Sequence, residues 1–260
     1  MLTRYSSNYR SNRLFRFWSF LICLLALFST TALAQSSDTE TPPPHLDQAR
    51  QLVAKLRHAR ENVYGGGRRH IDWDASDCSA RTVCSSFITL LLQHTYGWKD
   101  AEIRTWLHSA DPDAAPYHDA IVDRQRFKRI LHMKALRPGD ILAVKYTDHH
   151  VSRNGVEDTG HVMLVAGLPH PEESRKSTPG KKAFVVSIID SSASGHGPQD
   201  TRAKQNGRLT GGIGQGEIRL YADQEDRIIG YTWSTLASSP YYSGPDRDIV
   251  AGRLTDTTTR

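Results

Sequence analysis

The chain has 260 residues, with 33 lysines and arginines against 28 aspartates and glutamates, and three cysteines. Its first 34 residues contain four of the arginines and no acid, so the rest of the chain has 29 basic and 28 acidic side chains. This near-neutral balance argues against a basic nucleic-acid-binding protein. Cys23 belongs to the same N-terminal segment, and the two remaining cysteines are too few for a small disulfide-stabilised fold.

The N-terminal segment has the three parts of a secretory signal peptide. Arginines precede a largely apolar run over 17–28, and Ala32-Leu33-Ala34 places small residues where a signal peptidase cleaves. The apolar run spans roughly 18 Å as a helix, less than the roughly 30 Å hydrocarbon core of a bilayer. We therefore predict a signal peptide over 1–34, cleavage near Ala34-Gln35, and a periplasmic or secreted protein without stable membrane insertion. An uncleaved N-terminal anchor is the alternative.

The rest of the chain divides by composition. Residues 35–44 end in three prolines and are predicted to be a linker, 45–240 a single domain, and 241–260 a C-terminal tail in which 249–254 can add an edge strand. Apolar residues at helical spacing predict helices over about 45–62, 84–95, 99–108 and 119–132. Short apolar runs between polar loops then predict strands at 140–146, 161–167, 183–190, 217–222 and 227–233. Helices followed by strands indicate an α+β fold, with N-terminal helices packed on a mostly antiparallel sheet of five to six strands.

The most informative residue is Cys84, which is predicted to lie in the first turn of a helix. Apolar residues at the third, fourth, seventh and eighth positions after it form one buried face: Phe87, Ile88, Leu91 and Leu92. Unpaired N–H groups and the helix dipole favour an anion at a helix start, and the thiolate is the nucleophilic form of cysteine. Ser85 and Ser86 are small enough to let a substrate approach. Cys84 is therefore predicted to be a nucleophile.

Cys78 is the rival nucleophile, but Arg81 and Thr82 at its third and fourth following positions cannot form a buried face. Two other interpretations of Cys84 stay open. It can be an inert core thiol, because unoxidised cysteine is commonly buried. It can also form a disulfide with Cys78, which an oxidising compartment permits.

A nucleophilic thiol needs a base, and His161 is the best placed of the twelve histidines. It begins an apolar strand, next to Gly160, which allows close approach. The next predicted strand ends in Asp190, and neighbouring strands can set this acid against the ring of His161 and hold its tautomer. Ser191 and His196 are the alternatives to Asp190.

These segments together resemble the NlpC-type papain-like cysteine peptidases of bacterial cell walls. Tyr64-Gly65-Gly66 is similar to the entry loop of that family, and residues 84–88 are similar to its nucleophile helix. Residues 136–142, with Pro138-Gly139-Asp140, are similar to its turn into the first strand, and Gly160-His161-Val162 is similar to its histidine strand. The order along the chain is that of the family, and the resemblance covers roughly 45–235.

The resemblance implies a papain-like fold and an amide hydrolase that acts on peptidoglycan stem peptides. Cys84 would attack, His161 would accept and then donate the proton, and Asp190 would orient the ring. Tyr64, Ser85, Ser86 and Gly160 would contact the substrate. A monomer without cofactor or metal is expected. The alternatives are an acyltransferase or amidase with a substrate outside the cell wall, and a non-catalytic binding module on the same fold.

The sequence departs from the family pattern in three places, one of which is a long spacing from His161 to Asp190. Val83 stands where the family has an aspartate, and Trp106–Ile121 replaces its Leu-Pro-Arg stretch. These departures bear on the substrate more than on the catalytic pair.

Two weaker patterns are set aside. Gly212-Ile213-Gly214-Gln215-Gly216 precedes a predicted strand rather than joining a strand to a helix, so it does not predict a dinucleotide site. His149-His150 with His161 lacks a carboxylate at a recognised spacing, so it does not predict a metal site.

Overall fold

The structure is a computed structural model that describes residues 41–65, 67–74, 78–147, 158–172, 180–202, 210–255 and 257. The predicted signal peptide, its cleavage site and residues 35–40 of the predicted linker lie outside the described residues. Within the described ranges, no helix has both the length and the apolar character needed to cross a bilayer. Residues from Thr41 onwards form one compact unit.

The described residues contain four α-helices: α1 (Pro44–Leu56), α2 (Cys84–Tyr96), α3 (Asp100–Leu107) and α4 (Ala114–Val122). Proline begins α1, where a missing N–H costs nothing because the first turn has no intrahelical acceptors for it. The helix α2 ends at Gly97, whose φ of 70° is the left-handed conformation that glycine adopts easily. The predicted helices over 84–95 and 99–108 are confirmed, whereas the first, predicted over 45–62, ends earlier, at Leu56.

The fourth predicted helix, over 119–132, is wrong in its position. The helix α4 ends at Val122, and Arg124 and Arg126 both have a φ of 58°, which no helix interior accepts. Phe127–Ile130 then forms a strand that pairs with the C-terminal segment of the chain. Local apolar spacing could not show this pairing, because its partner lies more than a hundred residues away.

Twelve strands occur in the described residues. They are β1 (Asn62–Tyr64), β2 (His70–Ile71), β3 (Ala80–Thr82), β4 (Phe127–Ile130), β5 (Ile141–Tyr146), β6 (Gly160–Val165), β7 (His170–Pro171), β8 (Lys182–Ser192), β9 (Gly212–Ala222), β10 (Ile228–Thr232), β11 (Tyr241–Tyr242) and β12 (Arg247–Leu254).

The strands form two sheets. The larger has the order β11-β10-β9-β8-β6-β5-β12-β4, with β7 paired to β8, and all its pairs are antiparallel. The smaller has the order β1-β3-β2, and β1 runs parallel to β3. The predicted α+β class with a mostly antiparallel sheet is confirmed. The predicted five to six strands are too few, since the described part of the larger sheet has nine.

The C-terminal segment is an interior strand and not the predicted edge strand of a tail. In the larger sheet β12 lies between β4 and β5, and Ala251 pairs with both Ile130 and Leu142. A Cβ at Gly252 would lie 2.7 Å from the side chain of Ile121, so the chain can cross α4 here only with glycine. The domain therefore continues past 240 and includes β12.

The two faces of the larger sheet bury separate apolar cores. On one face, α2 packs Phe87 and Leu91 against Val162 and Leu164 of β6. On the other face, Met163 and Val165 of the same strand pack against β8, β9 and β12. Each such buried side chain contributes roughly 1.5–3 kcal/mol. Because β6 is buried on both faces, its sequence is a continuous apolar run without alternation.

The Pro-Gly-Asp turn is a buried corner between α1 and β5. Asp140 accepts the N–H of Arg137 at 2.8 Å and a bidentate pair of bonds from Arg253 at 2.7 and 3.0 Å. His45 of α1 donates to the carbonyl oxygen of Gly139 at 2.8 Å. This motif therefore anchors the N-terminal helix to the sheet.

Substitution of Gly160 is expected to destabilise the fold. Its φ is 142°, and a Cβ there would lie 1.9 Å from the carbonyl oxygen of Val144 in β5. We expect Gly160→Ala to lower the free energy of unfolding by about 2–4 kcal/mol, as measured by urea denaturation. Gly167→Ala is the control, because its Cβ would meet Ser187 at an ordinary 3.4 Å. Equal losses in the two variants would contradict this assignment.

Candidate active site

The start of α2 is tied to the strand that carries Asp190. Thr82, the last residue of β3, donates from Oγ1 to Ser191 Oγ at 2.9 Å. The Ser191 hydroxyl in turn donates to the carbonyl oxygen of Thr82 at 3.1 Å. These bonds place Cys84, the first residue of α2, beside the ends of β6 and β8.

Cys84, His161 and Asp190 come together in the fold. The Cys84 sulfur is hydrogen-bonded to the ring of His161. His161 Nε2 donates to Asp190 Oδ2 at 2.6 Å, which leaves Nδ1 as the ring nitrogen available to the sulfur. The two side chains of Cys84 and His161 are largely buried, each residue being 5 % exposed, and Asp190 is completely buried.

The ring of His161 favours its charged form in this setting. Burial disfavours an imidazolium, but the negative charge of Cys84 and the hydrogen bonds to Asp190 and Cys84 outweigh burial and raise the pKa of His161 to about 10. A protonated His161 is therefore the form that this setting favours at neutral pH.

Removal of the Cys84 side chain is expected to lower the pKa of His161. In Cys84→Ala, the pKa of His161 should fall from about 10 towards 6.5, because two of the interactions that raise it disappear. Titration of the His161 ring proton by NMR measures the change. Cys78→Ala is the matched control and should leave the pKa of His161 in place. A His161 pKa that stays near 10 without Cys84 would contradict the pairing.

The same pKa has a consequence for stability. Because the pKa of folded His161 lies above its ordinary value of 6.5, the protonated ring stabilises the fold fully below pH 6.5. This stabilisation is lost as the pH rises through about 10. Denaturation midpoints should therefore fall at alkaline pH, and less steeply in Cys84→Ala.

Asp190 is surrounded by cations. His196 Nε2 donates to Asp190 Oδ2 at 2.9 Å, and Arg202 Nη2 donates to Oδ1 at 2.9 Å. Burial disfavours the carboxylate, but the charges of His196 and Arg202 and the hydrogen bonds from both histidines hold the pKa of Asp190 well below its usual range. Asp190 is thus an anion whose two oxygens are fully engaged.

Arg202 is itself held by Asp200. Its Nε donates to Asp200 Oδ1 at 2.8 Å and its Nη2 to Asp200 Oδ2 at 2.7 Å, while Nη1 donates to the carbonyl oxygen of Gly212 at 3.0 Å. The alternating glycines of β9 make room for this pair. A Cβ at Gly214 would lie 2.6 Å from Arg202 Nε, and one at Gly216 would lie 2.5 Å from Asp200 Oδ2. The glycine pattern that does not predict a dinucleotide site therefore serves this buried cluster.

Trp233 covers the two histidines. Its ring centroid lies 4.7 Å from that of His161 and 4.5 Å from that of His196. Its carbonyl oxygen accepts a hydrogen bond from His196 Nδ1 at 2.7 Å, and its Nε1 donates to the carbonyl oxygen of Gly195 at 3.2 Å. The indole therefore shields the bonds to Asp190 from water.

The geometry of His161, Asp190 and His196 is that of a hydrogen-bonded network rather than a set of metal ligands. Their ligand atoms lie within 4.8 Å of one another, which is close enough to consider a metal. Both Nε2 atoms, however, approach the same oxygen at 2.6 and 2.9 Å. Two ligand atoms on a tetrahedral zinc ion lie roughly 3.3 Å apart. The Arg202 guanidinium on the other oxygen would also oppose a bound cation.

Tyr64 lies near Cys84, and its predicted contact with the substrate stays a prediction. It is the last residue of β1 and pairs in register with Thr82 of the parallel strand β3. Burial, followed by the negative charges of Cys84, Asp158 and Asp190, raises the pKa of Tyr64 above its usual value. Burial and the charge of Asp158 raise the pKa of Tyr146, at the end of β5, to about 12. Two tyrosines and one carboxylate therefore lie near the thiol.

The other predicted substrate-binding residues make contacts within the fold. Ser86 Oγ accepts the N–H of Val83 at 2.9 Å and so caps α2. Ser85 is buried, and Gly160 packs against the backbone of β5. A substrate contact for these three residues stays a prediction. Gly66 of the entry loop and His149-His150 lie outside the described residues.

Cys78 has a different environment from Cys84. Its Sγ donates to the carbonyl oxygen of Asp72 at 3.1 Å. No disulfide joins the two described cysteines, so the alternative of a Cys78–Cys84 bond is wrong.

Comparison with known proteins places the chain in a family. Over 224 residues it is 34% identical to an uncharacterized protein of Acanthamoeba polyphaga mimivirus, and the aligned region covers 82% of this chain and 96% of the viral protein. The chain belongs to the family of this mimivirus protein. No protein-family model matches the chain, and no solved structure matches it. The similarity extends over nearly the whole viral protein and is therefore not confined to one short motif.

The sequence pointed to the central three residues of the site but not to the cluster behind them. The sequence offers His196 as an alternative to Asp190, whereas in the structure the two residues are hydrogen-bonded to each other. Asp200 and Arg202 lie between β8 and β9 in the chain, and their sequence has no local pattern. The glycines at alternate positions of β9 are the signal that could have indicated a bulky buried group against one face of that strand.

Proposed function

We propose that the protein is an exported cysteine hydrolase of the NlpC type, with a papain-like fold, that cleaves amide bonds in peptidoglycan stem peptides. The observation that carries this proposal is the position of Cys84. Cys84 is the first residue of α2, and its thiol is hydrogen-bonded to the ring of His161. Nε2 of the same ring donates to Asp190 at 2.6 Å. A nucleophile, a base and a residue that orients the base are the parts that covalent amide hydrolysis needs.

The first half of the reaction forms a thioester. The Cys84 thiolate attacks the amide carbon, a C–S bond forms, and the carbonyl electron pair moves to oxygen. The backbone N–H of Cys84 donates to this oxyanion, because a helix start has no intrahelical acceptor for it. His161 gives its proton to the leaving nitrogen as the C–N bond breaks, and the amine departs.

The second half releases the acid. His161 takes a proton from water as the water oxygen bonds to the thioester carbon. The C–S bond then breaks, which frees the carboxylic acid and restores the thiolate and the imidazolium. Asp190 accepts the hydrogen bond from Nε2–H throughout and keeps the ring in one orientation.

The surroundings of Cys84 suit a peptide substrate. The hydroxyls of Tyr64 and Tyr146 and the carboxylate of Asp158 interact with one another and with Cys84. Such polar groups can bond to peptide amides and to charged groups. These contacts, together with the resemblance in sequence, support a stem-peptide substrate.

Hydrolysis of defined muropeptides in water enriched in oxygen-18 tests this function. One labelled oxygen in a new carboxyl group, together with release of a free amine, is the expected product. An unlabelled amide or ester formed from an added nucleophile would show acyl transfer instead. Absence of any product from stem peptides would overturn the proposed substrate.

Thiol alkylation tests the nucleophile without a substrate. Because Cys84 begins a helix and is hydrogen-bonded to His161, which can take up its proton, iodoacetamide should modify Cys84 well before Cys78 at about pH 6.5. Both residues are buried to a similar degree, at 5 % and 4 % exposure, so accessibility alone predicts similar rates. Peptide mass spectrometry measures the two rates. Equal and slow modification of both thiols would favour a non-catalytic binding module.

A further inference from the structure

The carboxylate of Asp190 is fixed on both of its oxygens. Oδ1 accepts from Arg202 Nη2 at 2.9 Å. Oδ2 accepts from two histidine rings, from His161 at 2.6 Å and from His196 at 2.9 Å. The carboxylate cannot rotate without breaking one of these bonds, so the position of the His161 ring depends on residues behind Asp190.

The hydrogen bonds of His196 require a charged ring. Its Nδ1 lies 2.7 Å from the carbonyl oxygen of Trp233, and its Nε2 lies 2.9 Å from Asp190 Oδ2. Both partners only accept hydrogen bonds, so both ring nitrogens carry protons and His196 is an imidazolium. Its backbone N–H also donates to Asp200 Oδ2 at 2.9 Å, which holds the ring beside Arg202. Asp190 therefore faces two fixed cations in addition to His161.

We propose that His196 and Arg202 are positioning residues for His161, acting through Asp190 by holding its carboxylate in place and offsetting its charge. This inference rests on the proposed cysteine hydrolase activity, in which His161 must give up a proton to the leaving nitrogen. An Asp190 anion without these two cations would hold that proton more strongly. With His196 and Arg202 in place, Asp190 orients the His161 ring, and the imidazolium stays acidic enough to give its proton to the leaving nitrogen.

Other ionisable groups face this part of the fold from each neighbouring element, and they remain unchanged in the variants that test the proposal. They are Tyr64 of β1, Tyr146 of β5, Asp158 before β6, Asp190 of β8 and Asp200 behind Arg202, while Cys84 of α2 is replaced by alanine in every chain whose titration is compared.

The test measures the titration of His161 in a chain that cannot react. In the full chain carrying Cys84→Ala, NMR of labelled histidine rings follows the midpoint of His161 with and without a second substitution. His196→Gln and Arg202→Gln each remove one positive charge near Asp190 and keep a hydrogen-bond donor. Each is expected to raise the midpoint by about one pH unit, because Asp190 then attracts the His161 proton more strongly. The measurement does not involve turnover, so it remains decisive even if the proposed hydrolase activity fails.

Two matched variants separate charge from packing. Arg202→Lys keeps the charge and should leave the midpoint unchanged. Arg253→Gln removes an arginine that binds Asp140 in a bidentate pair instead of Asp190, and it should also leave the midpoint unchanged. In the chain with Cys84 intact, His196→Gln should lower kcat about tenfold at constant KM.

Three results would overturn the proposal. One is a midpoint that stays constant or falls in both charge-removing variants. Another is a shift of the His161 midpoint in Arg253→Gln as large as the shifts in His196→Gln and Arg202→Gln. The third is failure of both charge-removing variants to fold, which would assign the cluster a structural role alone.

Discussion

Replacement of Cys84 by alanine is expected to lower the rate of amide hydrolysis at least about a thousand-fold and to leave the protein folded. The thiolate forms the bond to the substrate carbon, and no described neighbour at the start of α2 has a comparable nucleophile. The fold should persist because the lost group is a single sulfur atom at the end of the buried face of α2, whose apolar contacts come from residues further along the helix. Initial rates on a muropeptide and the far-ultraviolet circular dichroism spectrum give the two readouts.

Cys78→Ala is the matched control for this experiment. Cys78 is buried to the same extent as Cys84, and its thiol donates to the carbonyl oxygen of Asp72 instead of pairing with His161. Its removal should keep the rate within about twofold. Wild-type activity in Cys84→Ala, or a comparable loss in Cys78→Ala, would show that the nucleophile is assigned wrongly.

Replacement of Arg202 by methionine is expected to lower the free energy of unfolding by about 3–5 kcal/mol. The Arg202 side chain is 1 % exposed and bonds to both Asp190 and Asp200, whose side chains are completely buried. Methionine fills much of the same volume but leaves two buried carboxylates without their shared cation. Urea denaturation at pH 7 measures the loss.

The control for Arg202 is a half-exposed ion pair. Arg81 and Glu61 lie 2.7 Å apart with side chains 34 % and 38 % exposed, so water replaces the lost partner when one is removed. Arg81→Met should therefore cost less than about 1 kcal/mol. A similar loss in the two variants would mean that burial does not govern the strength of the Arg202 cluster.

Much of the fold and of the site follows from local patterns. The apolar positions after Cys84 predict α2 because residues three to four apart lie on the same face of a helix. That face is buried, as expected. The apolar runs predict β5, β6 and β8, and the structure places His161 and Asp190 on the last two of these strands. These features depend on burial of nearby side chains, which leaves a regular trace in the sequence.

The sequence alone therefore determined the α+β class, the helix that begins at Cys84 and the strands that carry His161 and Asp190. Tertiary structure decided the insertion of β12 between β4 and β5, the end of α4 and the meeting of two histidines on one oxygen of Asp190. It also decided the pairing of Arg202 with Asp200 against the glycines of β9. The physical reason is distance along the chain. Strand order and the hydrogen bonds to Asp190 join residues that are far apart in sequence, and no periodic pattern near either partner indicates the contact. Only folding brings their charges and hydrogen-bonding groups together.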